Sequence, residues 1–393
     1  MIVLDLVIEP DDARHVRSAR PSGGGAARRS VYSAATQRSP ARTAAVPPRD
    51  TGRADPSASA WPTRYSTEHT SMKGPMTVPH HSADVSVISW NVAEYIRPGK
   101  AEDRAPHVEQ ALRDERPAIA LLQEIYAPNR EEAVERVQAL ADKVGLDCEL
   151  PDGRVAMAYG SKDMHAAILW DTDQNVVPDA STWRFYGLGE LWHAMVLGTV
   201  TIEDVPLTVA SYHAPSLDEG DRIREAKRIM FTATSGFTRA AKLYCGDFNG
   251  ISNARKATGE YYDSDPYAGK PDAPEQVFQV DWTETADGRI VDRHVTRRVA
   301  EILSFGGLLH DVAPGHGEEW KPTIGHWYPD GPHGLRRVDQ AWATLPVLRA
   351  IRSCAPIDTE ATTTGSDHLP LKTVLNVEAL RDNLHTLAAQ AAS

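Results

Sequence analysis

Short apolar runs that end directly in carboxylate, amide or imidazole side chains recur between residues 85 and 375 of the chain. Runs such as residues 118–122 and 242–245 have the length of strands buried inside a sheet, and stretches with helical spacing lie between them. Strands that alternate with helices are expected to form sheets that bury their faces against other layers. The pattern therefore predicts an α/β fold in which two packed sheets have helices outside.

The periodicity of apolar residues also predicts the individual elements. Helices are expected over residues 101–116, 130–144, 219–233, 293–305 and 379–391. Strands are expected over residues 85–90, 118–122, 155–159, 166–170, 194–202, 206–212, 242–245, 340–344, 347–350 and 369–375. Residues 251–290 are polar and rich in Pro and Gly, which is typical of a long surface insertion.

Composition excludes several classes of protein. Of the 393 residues, 41% are hydrophobic and 24% charged, as in globular proteins that bury a sizeable core. No apolar run approaches the ~20 residues of a membrane span, so no transmembrane segment is predicted. Three scattered cysteines are too few for a disulfide framework or a thiolate zinc site, and with no secretory signal pattern they favour a cytoplasmic protein. We expect a monomer.

The charge is uneven along the chain, which carries a formal net charge of −12. Residues 1–75 are net +4 and the remainder is net −16, which argues against holding nucleic acid by bulk positive charge. Residues 1–80, rich in Arg, Ala, Ser, Pro and Gly, are predicted to be a disordered leader. Alternatively, translation begins at Met72 or Met76 and the leader is upstream sequence. The predicted domain spans residues 84–378, followed by a C-terminal helix over residues 379–393.

Polar side chains of the kinds that carry chemistry lie at the ends of six predicted strands. They are Trp90-Asn91, Gln123-Glu124, His213, Gly246-Asp247-Phe248-Asn249, Arg337-Val338-Asp339 and Ser366-Asp367-His368. Taken singly, each has an ordinary structural explanation, such as a solvated charge or a turn. If the strands share a sheet edge, however, all of these side chains converge on one rim.

The residue types on this rim suit one chemistry. Four carboxylates are hard oxygen ligands that favour Mg²⁺ or Mn²⁺ over zinc: Glu124, Asp247, Asp339 and Asp367. His213 and His368 can transfer protons or donate to a phosphate. Together these groups are suited to attack by water on a phosphate ester.

In this order the motifs resemble those of the endonuclease/exonuclease/phosphatase superfamily, whose members have a deoxyribonuclease-I-like fold. The resemblance covers roughly residues 84–376. It implies a four-layer α/β sandwich, with two mixed β-sheets packed face to face and helices outside. It also implies a metal-dependent hydrolase that acts on phosphate ester bonds and uses Mg²⁺ or Mn²⁺.

The resemblance further implies roles for single residues. Metal binding falls to Asn91, Glu124 and Asp367, with Glu124 as the principal ligand. Catalysis falls to His213, Asp247, Asn249, Asp339 and His368, where Asp247 and Asn249 orient the water and the phosphate and Asp339 pairs with His368. Substrate binding falls to Arg337 and to His193, which stands where several members have a phosphate-binding Arg.

Three functions remain open at this point. The first is a nuclease that cleaves phosphodiester bonds in nucleic acid, as an endonuclease or exonuclease. The second is a phosphatase or phosphodiesterase for a small nucleotide, an inositol phosphate or a lipid headgroup. The third is an inactive interaction domain, which the complete set of polar residues disfavours. The partner implied by the first two is a phosphate-ester substrate.

Overall fold

The computed structural model describes residues 84–234, 241–316 and 319–392. The predicted leader over residues 1–80, with its alternative start sites, lies outside the described residues. Within them the strands are β1 (Asp84–Tyr95), β2 (Ile119–Tyr126), β3 (Met157–Ala158), β4 (Met164–Trp170), β5 (Val176–Pro178), β6 (Arg184–Tyr186), β7 (Ala194–Ile202), β8 (Val205–His213), β9 (Lys242–Asp247), β10 (Val280–Glu284), β11 (Ile290–Val295), β12 (His310–Asp311), β13 (Asp339–Ala343), β14 (Ile351–Pro356) and β15 (Leu371–Asn376). The α-helices are α1 (Ala105–Glu115), α2 (Arg130–Val144), α3 (Glu219–Thr234), α4 (Arg298–Leu303), α5 (Leu345–Leu348), α6 (Glu360–Gly365) and α7 (Val377–Ala392).

These strands form two large sheets and a separate hairpin. The first sheet has the order β14-β15-β1-β2-β4-β3, and the second has the order β12-β13-β9-β8-β7-β5, with β6 also paired to β7. Each sheet is mixed, because β1–β2 in the first and β8–β9 in the second are parallel and the other pairs are antiparallel. Strands β10 and β11 form the hairpin. The prediction of two mixed sheets with helices is confirmed.

The central core lies between the two sheets. Because successive side chains of a strand point to opposite faces, alternate residues of each strand enter this core. The first sheet contributes Val87, Leu121 and Ile168, and the second contributes Val196 and Val209, all buried. Burial of such side chains stabilises the fold by about 1.5–3 kcal/mol each.

Helices cover the outer faces of both sheets. On the first sheet, Ile88 and Leu122 pack in one cluster with Val108 of α1 and Val137 of α2. A further cluster on the second sheet joins Ala210, Tyr212 and Tyr244 to Ile229 of α3 and Leu303 of α4. The layers are therefore helix, sheet, sheet, helix.

Helix α2 shows why local prediction succeeds in places. Its observed bounds, Arg130–Val144, are those that the periodicity predicts. Asn129 caps its first turn by accepting a hydrogen bond from the backbone N–H of Glu132, at 3.0 Å. Gly145 ends it in the left-handed conformation, with φ of 72°.

Other predicted elements are wrong or shifted. The predicted strand over residues 347–350 is instead the last part of α5 and the turn that follows it, because Pro346 lies in the first turn of that helix, and the strand β14 begins at Ile351. The predicted helix over residues 293–305 is shorter, since β11 extends to Val295. The C-terminal helix begins two residues before its predicted start, and Val377 and Leu380 are buried in the central core.

Among the helices of the described ranges, none has the length and apolar character needed to cross a bilayer.

Candidate active site

The candidate site lies where strands of both sheets end or are interrupted side by side. In the first sheet, Asn91 of β1 pairs with Gln123 of β2, one residue before Glu124. In the second sheet, Asp247 is the last residue of β9 and pairs with His213 of β8 on one side and Asp339 of β13 on the other. Parallel neighbours end at the same sheet edge, which is why residues distant in sequence meet here.

The Asp247 carboxylate is the centre of this site. Its Oδ2 accepts hydrogen bonds from Nδ2 of Asn91 at 3.2 Å and Nδ2 of Asn249 at 3.1 Å. Asn91 Nδ2 also donates to Oε1 of Glu124 at 2.9 Å, so the Asn91 amide bridges the two carboxylates. All four side chains are buried.

The backbone around these residues adopts conformations that side chains usually avoid. Glu124 has φ of 61° and Asn249 has φ of 45°, both in the left-handed region. Such strain persists where surrounding contacts impose it, often at functional sites. Gly246 is also required, because a Cβ there would lie 1.8 Å from the carbonyl oxygen of Tyr212 on the neighbouring strand.

His368 is held beside Asp339. Its Nδ1 lies 2.9 Å and 3.1 Å from the two carboxylate oxygens of Asp339, and its Nε2 lies 3.8 Å from Oδ2 of Asp247. Burial disfavours the imidazolium, but the charges of Asp339 and Asp247 and the hydrogen bond to Asp339 together outweigh it and raise the pKa of His368 to about 9. Ser366 and Trp90 hold the His368 backbone, at N–H and carbonyl respectively.

His213 and His193 form a second histidine pair. Their rings are stacked with centroids 4.0 Å apart and planes 4° apart, and both residues are buried. Burial lowers the pKa of His193 to about 3, and burial together with the neighbouring His193 places the pKa of His213 well below its ordinary value. His213 Nε2 lies 3.5 Å from Glu124 Oε1 and 3.6 Å from Asp247 Oδ2.

Burial also changes Asp247. It raises the pKa of this carboxyl group to about 6, with His368 opposing the shift and Asp339 adding to it. At pH 7 the site therefore combines an ionised Asp247, a cationic His368 and two neutral imidazoles.

Two sets of donors in the site could accommodate a cation. Asp247, Asp339 and His368 each offer one ligand atom, all within 4.8 Å of one another. The protonated His368 has no lone pair to give at pH 7, which leaves carboxylate oxygens as the donors. Glu124 adds a further carboxylate, linked to Asp247 through Asn91. Hard oxygen donors of this kind fit Mg²⁺ or Mn²⁺.

Comparison with known proteins identifies the fold. No protein-family model and no curated protein matches the chain. An endonuclease/exonuclease/phosphatase from Bacteroides vulgatus superposes with a TM-score of 0.51 and 14% identity, covering 74% of this chain and 98% of its own. The chain has the endonuclease/exonuclease/phosphatase fold. The resemblance inferred from the motifs and the predicted four-layer sandwich are thus confirmed.

Two further solved structures are similar to this chain. One is a humanised TDP2 from D. rerio, with 17% identity, a TM-score of 0.49, and coverage of 75% of this chain and 100% of its own. The other is a mannosyl-6-phosphatase from Bacteroides thetaiotaomicron, with 15% identity, a TM-score of 0.47, and coverage of 74% and 98%.

Arg337 requires a correction to the predicted site. Its guanidinium is buried and donates four hydrogen bonds, at 2.5–3.2 Å, to the carboxylates of Asp263 and Asp311. A guanidinium committed to two carboxylates in this way is not offered to a substrate phosphate. Arg337 therefore anchors the segment before Asp339 and does not bind substrate.

The remaining predicted residues fall into two groups. The structure brings together Asn91, Glu124, His193, His213, Asp247, Asn249, Asp339 and His368. Asp367 is half-buried and, among the described residues, makes no hydrogen bond or ion pair with this set, so its role as a metal ligand stays a prediction.

Sequence reasoning missed the buried carboxylates that support this site in the endonuclease/exonuclease/phosphatase fold. Asp263 and Asp311 hold Arg337, and Glu225 of α3 contacts the segments that carry the stacked histidines. For Glu225 a signal exists in the sequence, because it adjoins Ala226 on the apolar stripe of a helix. An acidic residue on such a stripe is buried when the helix packs, and buried acidic side chains are rare unless they are paired.

Proposed function

We propose that the protein is a divalent-metal-dependent hydrolase of phosphodiester bonds, of the nuclease type. The observation that carries this proposal is the convergence of Glu124, His213 and His368 on the single buried carboxylate of Asp247. Hydrolysis of a phosphate ester needs a proton acceptor for water, donors for the phosphate oxygens and charge stabilisation in the transition state.

In this mechanism Asp247 accepts the proton of the attacking water. Its pKa of about 6 leaves it ionised at pH 7 yet more basic than an ordinary aspartate. Asn249, whose Nδ2 donates to Asp247 at 3.1 Å, fixes the orientation of the carboxylate toward water and phosphate. The fixed geometry reduces the entropy that water would otherwise lose on reaction.

His368 stabilises the negative charge of the reacting phosphate. Because Asp339 keeps its pKa at about 9, the ring is an imidazolium at pH 7 and donates from Nε2 to a phosphate oxygen. Glu124 and Asn91 would hold a Mg²⁺ or Mn²⁺ ion, which when bound neutralises phosphate oxygens. His213 is proposed to contact the phosphate or the leaving oxygen.

A small phosphate ester is the second candidate substrate. Several arginines that could have drawn a polyanion have buried guanidinium groups: Arg222 and Arg297 donate to backbone carbonyls, and Arg337 binds two carboxylates. With a net charge of −16 after residue 75, little remains to attract a long nucleic acid. This favours a nucleotide, an inositol phosphate or a lipid headgroup.

A substrate panel tests the proposal. The protein would be assayed with Mg²⁺ and Mn²⁺ on supercoiled DNA, single-stranded DNA, RNA, bis-p-nitrophenyl phosphate, sphingomyelin and inositol phosphates. The D247N variant should be inactive, and D281N, which alters an exposed carboxylate of β10, should match wild type. Cleavage of the model diester without cleavage of nucleic acid would favour the second candidate.

Metal removal is the second arm of that experiment. Activity should disappear in EDTA and return when Mg²⁺ or Mn²⁺ is added in excess. Full activity in EDTA would contradict metal dependence. No turnover of any substrate would favour the third function, an inactive interaction domain.

A further inference from the structure

Glu225 is a buried carboxylate outside the set of groups proposed to meet the substrate. It lies on the inner face of α3 and is 5% exposed. Its Oε1 accepts a hydrogen bond from the backbone N–H of Trp192 at 2.5 Å, and its Oε2 accepts one from the hydroxyl of Tyr212 at 2.7 Å. The two oxygens of one side chain thus bind the segment that leads into β7 and the strand β8.

The two donors immediately precede the stacked histidines in sequence. Trp192 is followed by His193, and Tyr212 is followed by His213. The ladder between β7 and β8 reaches only to the pair Ala194 and His213, so the Trp192 backbone lies past the last ladder pair. Glu225 supplies the acceptor for the Trp192 N–H there, and through Tyr212 it links this segment to β8 beyond the end of the ladder.

The chemistry of these contacts indicates a task other than charge pairing. A buried carboxylate loses its hydration, and a backbone amide with a phenol recovers only part of that free energy. The nearby basic side chains have other partners, since Arg224 pairs with Asp221 and Arg228 lies 3.3 Å from Glu190. Burial accordingly raises the pKa of Glu225.

We propose that Glu225 is a positioning residue that fixes the His193–His213 stack in the site, through hydrogen bonds to Trp192 and Tyr212. This inference rests on the proposed function, because it gives the stack a part in phosphoester hydrolysis. Glu225 acts through the backbone N–H of Trp192 and the side-chain hydroxyl of Tyr212, the residues that precede the two rings, so its loss lets the rings move relative to Glu124 and Asp247.

A neighbouring cavity allows this inference to be tested by substitution of Glu225. A surface cavity of about 420 Å³ is lined by Trp192 and Glu225, with Leu191 and Arg228 on its walls. Water can therefore enter the space left by the E225A substitution and satisfy the two freed donors. The substitution should loosen the stack without leaving a dry void in the core.

Kinetics of the full chain provide the first test. We expect E225A to lower kcat about 10- to 100-fold, as the loss of an orienting contact does, with KM changed less than about threefold. E225Q keeps an acceptor for Trp192 and a polar partner for Tyr212, and should restore kcat to within about threefold of wild type. R224A, an exposed residue of the same helix, is the control and should not change kcat.

The outcomes that would overturn the inference are equally defined. A folded E225A protein that keeps wild-type kcat would overturn the inference. An E225Q protein as impaired as E225A would also overturn it, because the charge of Glu225 rather than its position would then matter. If E225A does not fold, Y212F carries the test, because it removes only one donor. It should lower kcat about 2- to 10-fold, and unchanged kcat would count against the inference.

Imidazole NMR separates this inference from the proposed function. In histidine-labelled protein, E225A should shift the ring signals of both His193 and His213 and leave those of His368, which Asp339 holds, unchanged. Unmoved signals of the stacked pair would overturn the positioning role whatever the activity. If wild type hydrolyses nothing in the substrate panel, the proposed function fails while the NMR result still decides whether Glu225 orders the stack.

Discussion

Two buried histidines flank Asp247 and differ in charge at pH 7. His368 lies beside the carboxylate of Asp339, and its pKa rises to about 9. His213 lies against the ring of His193, and its pKa falls well below the ordinary value. Burial disfavours the imidazolium at both positions; at His213 the ring of His193 adds to this effect, whereas at His368 the charges of Asp339 and Asp247 and the hydrogen bond to Asp339 overcome it.

This contrast divides the chemistry of the site into two halves. The half around His368 supplies a permanent donor and positive charge at pH 7. The other half, around the neutral stack, supplies uncharged rings that each donate one hydrogen bond and accept another. A phosphate that binds between them meets one cation from histidine rather than two.

The largest expected effect comes from deleting the cationic half. H368A should lower kcat/KM about 10²- to 10⁴-fold, because it removes a charged donor to the transition state. H213A should cost less, since a neutral ring contributes less to charge stabilisation. Steady-state kinetics on the best substrate of the panel measure both, with H294A on the exposed face of β11 as the matched control. Equal losses for H368A and H213A would break the contrast.

Removing the charge of Asp339 should make His368 neutral at pH 7, as His213 is. D339N keeps the shape of the side chain and removes the charge that stabilises the imidazolium, so the pKa of His368 should fall from about 9 to below 6.5. Turnover at pH 8 should drop about 10²-fold. An NMR titration of the His368 ring gives the pKa, and a ring still protonated at pH 8 would contradict the stated cause.

Removing one ring of the stack should have a smaller effect. H193Q takes away the neighbour that opposes protonation of His213, so the pKa of His213 should rise, although burial keeps it below 6.5. We expect turnover to fall about tenfold, because the remaining ring is less well oriented. The histidine NMR titration checks the direction, and an unchanged or lower pKa of His213 would show that the stack is not the cause.

The smallest effect is on stability. His193 has a folded pKa of about 3, below its unfolded value of 6.5, so its contribution is complete above pH 6.5 and is lost as the pH falls toward 3. His368 has a folded pKa of about 9, so its contribution is complete below pH 6.5 and is lost as the pH rises through 9.

Urea unfolding of the metal-free protein between pH 4 and pH 9 tests this pair of slopes. H193Q should flatten the acidic side and H368A the alkaline side, each by at most about 1.4 kcal/mol per pH unit. The D281N variant is the control, because its carboxylate is exposed. Parallel curves for all variants would mean that neither histidine changes its pKa on folding.

The sequence predicts the residues of the site better than their contacts. The convergence of Asn91, Asp247 and His368 is predictable, because strand ends can be read from apolar periodicity and strand ends meet at sheet edges. The stacking of His193 on His213 depends on the register of β7 against β8, where a slip of one residue would turn the rings to opposite faces. Alternation of residue types does not specify that register.

Long-range pairing explains the other failures. The motif resemblance places the Arg337 guanidinium at the substrate, and nothing in the sequence marks Asp263 as its partner, because Asp263 lies 74 residues earlier in a segment without periodicity. Residues 347–350 look like a strand by composition, but Pro346 and the packing of α5 against α7 select a helical turn. Both outcomes depend on neighbours that tertiary structure supplies.

The pairing of β1 with β15 has a consequence for the order in which the protein is made. Asp84 at the start of β1 pairs with Asn376 at the end of β15, and Trp90 bonds to His368 across 278 residues. A chain emerging from the ribosome exposes β1 long before its partner strand β15 exists. Nearly the whole domain is therefore synthesised between Asn91 and His368, and a chain that ends before residue 368 lacks part of the candidate site.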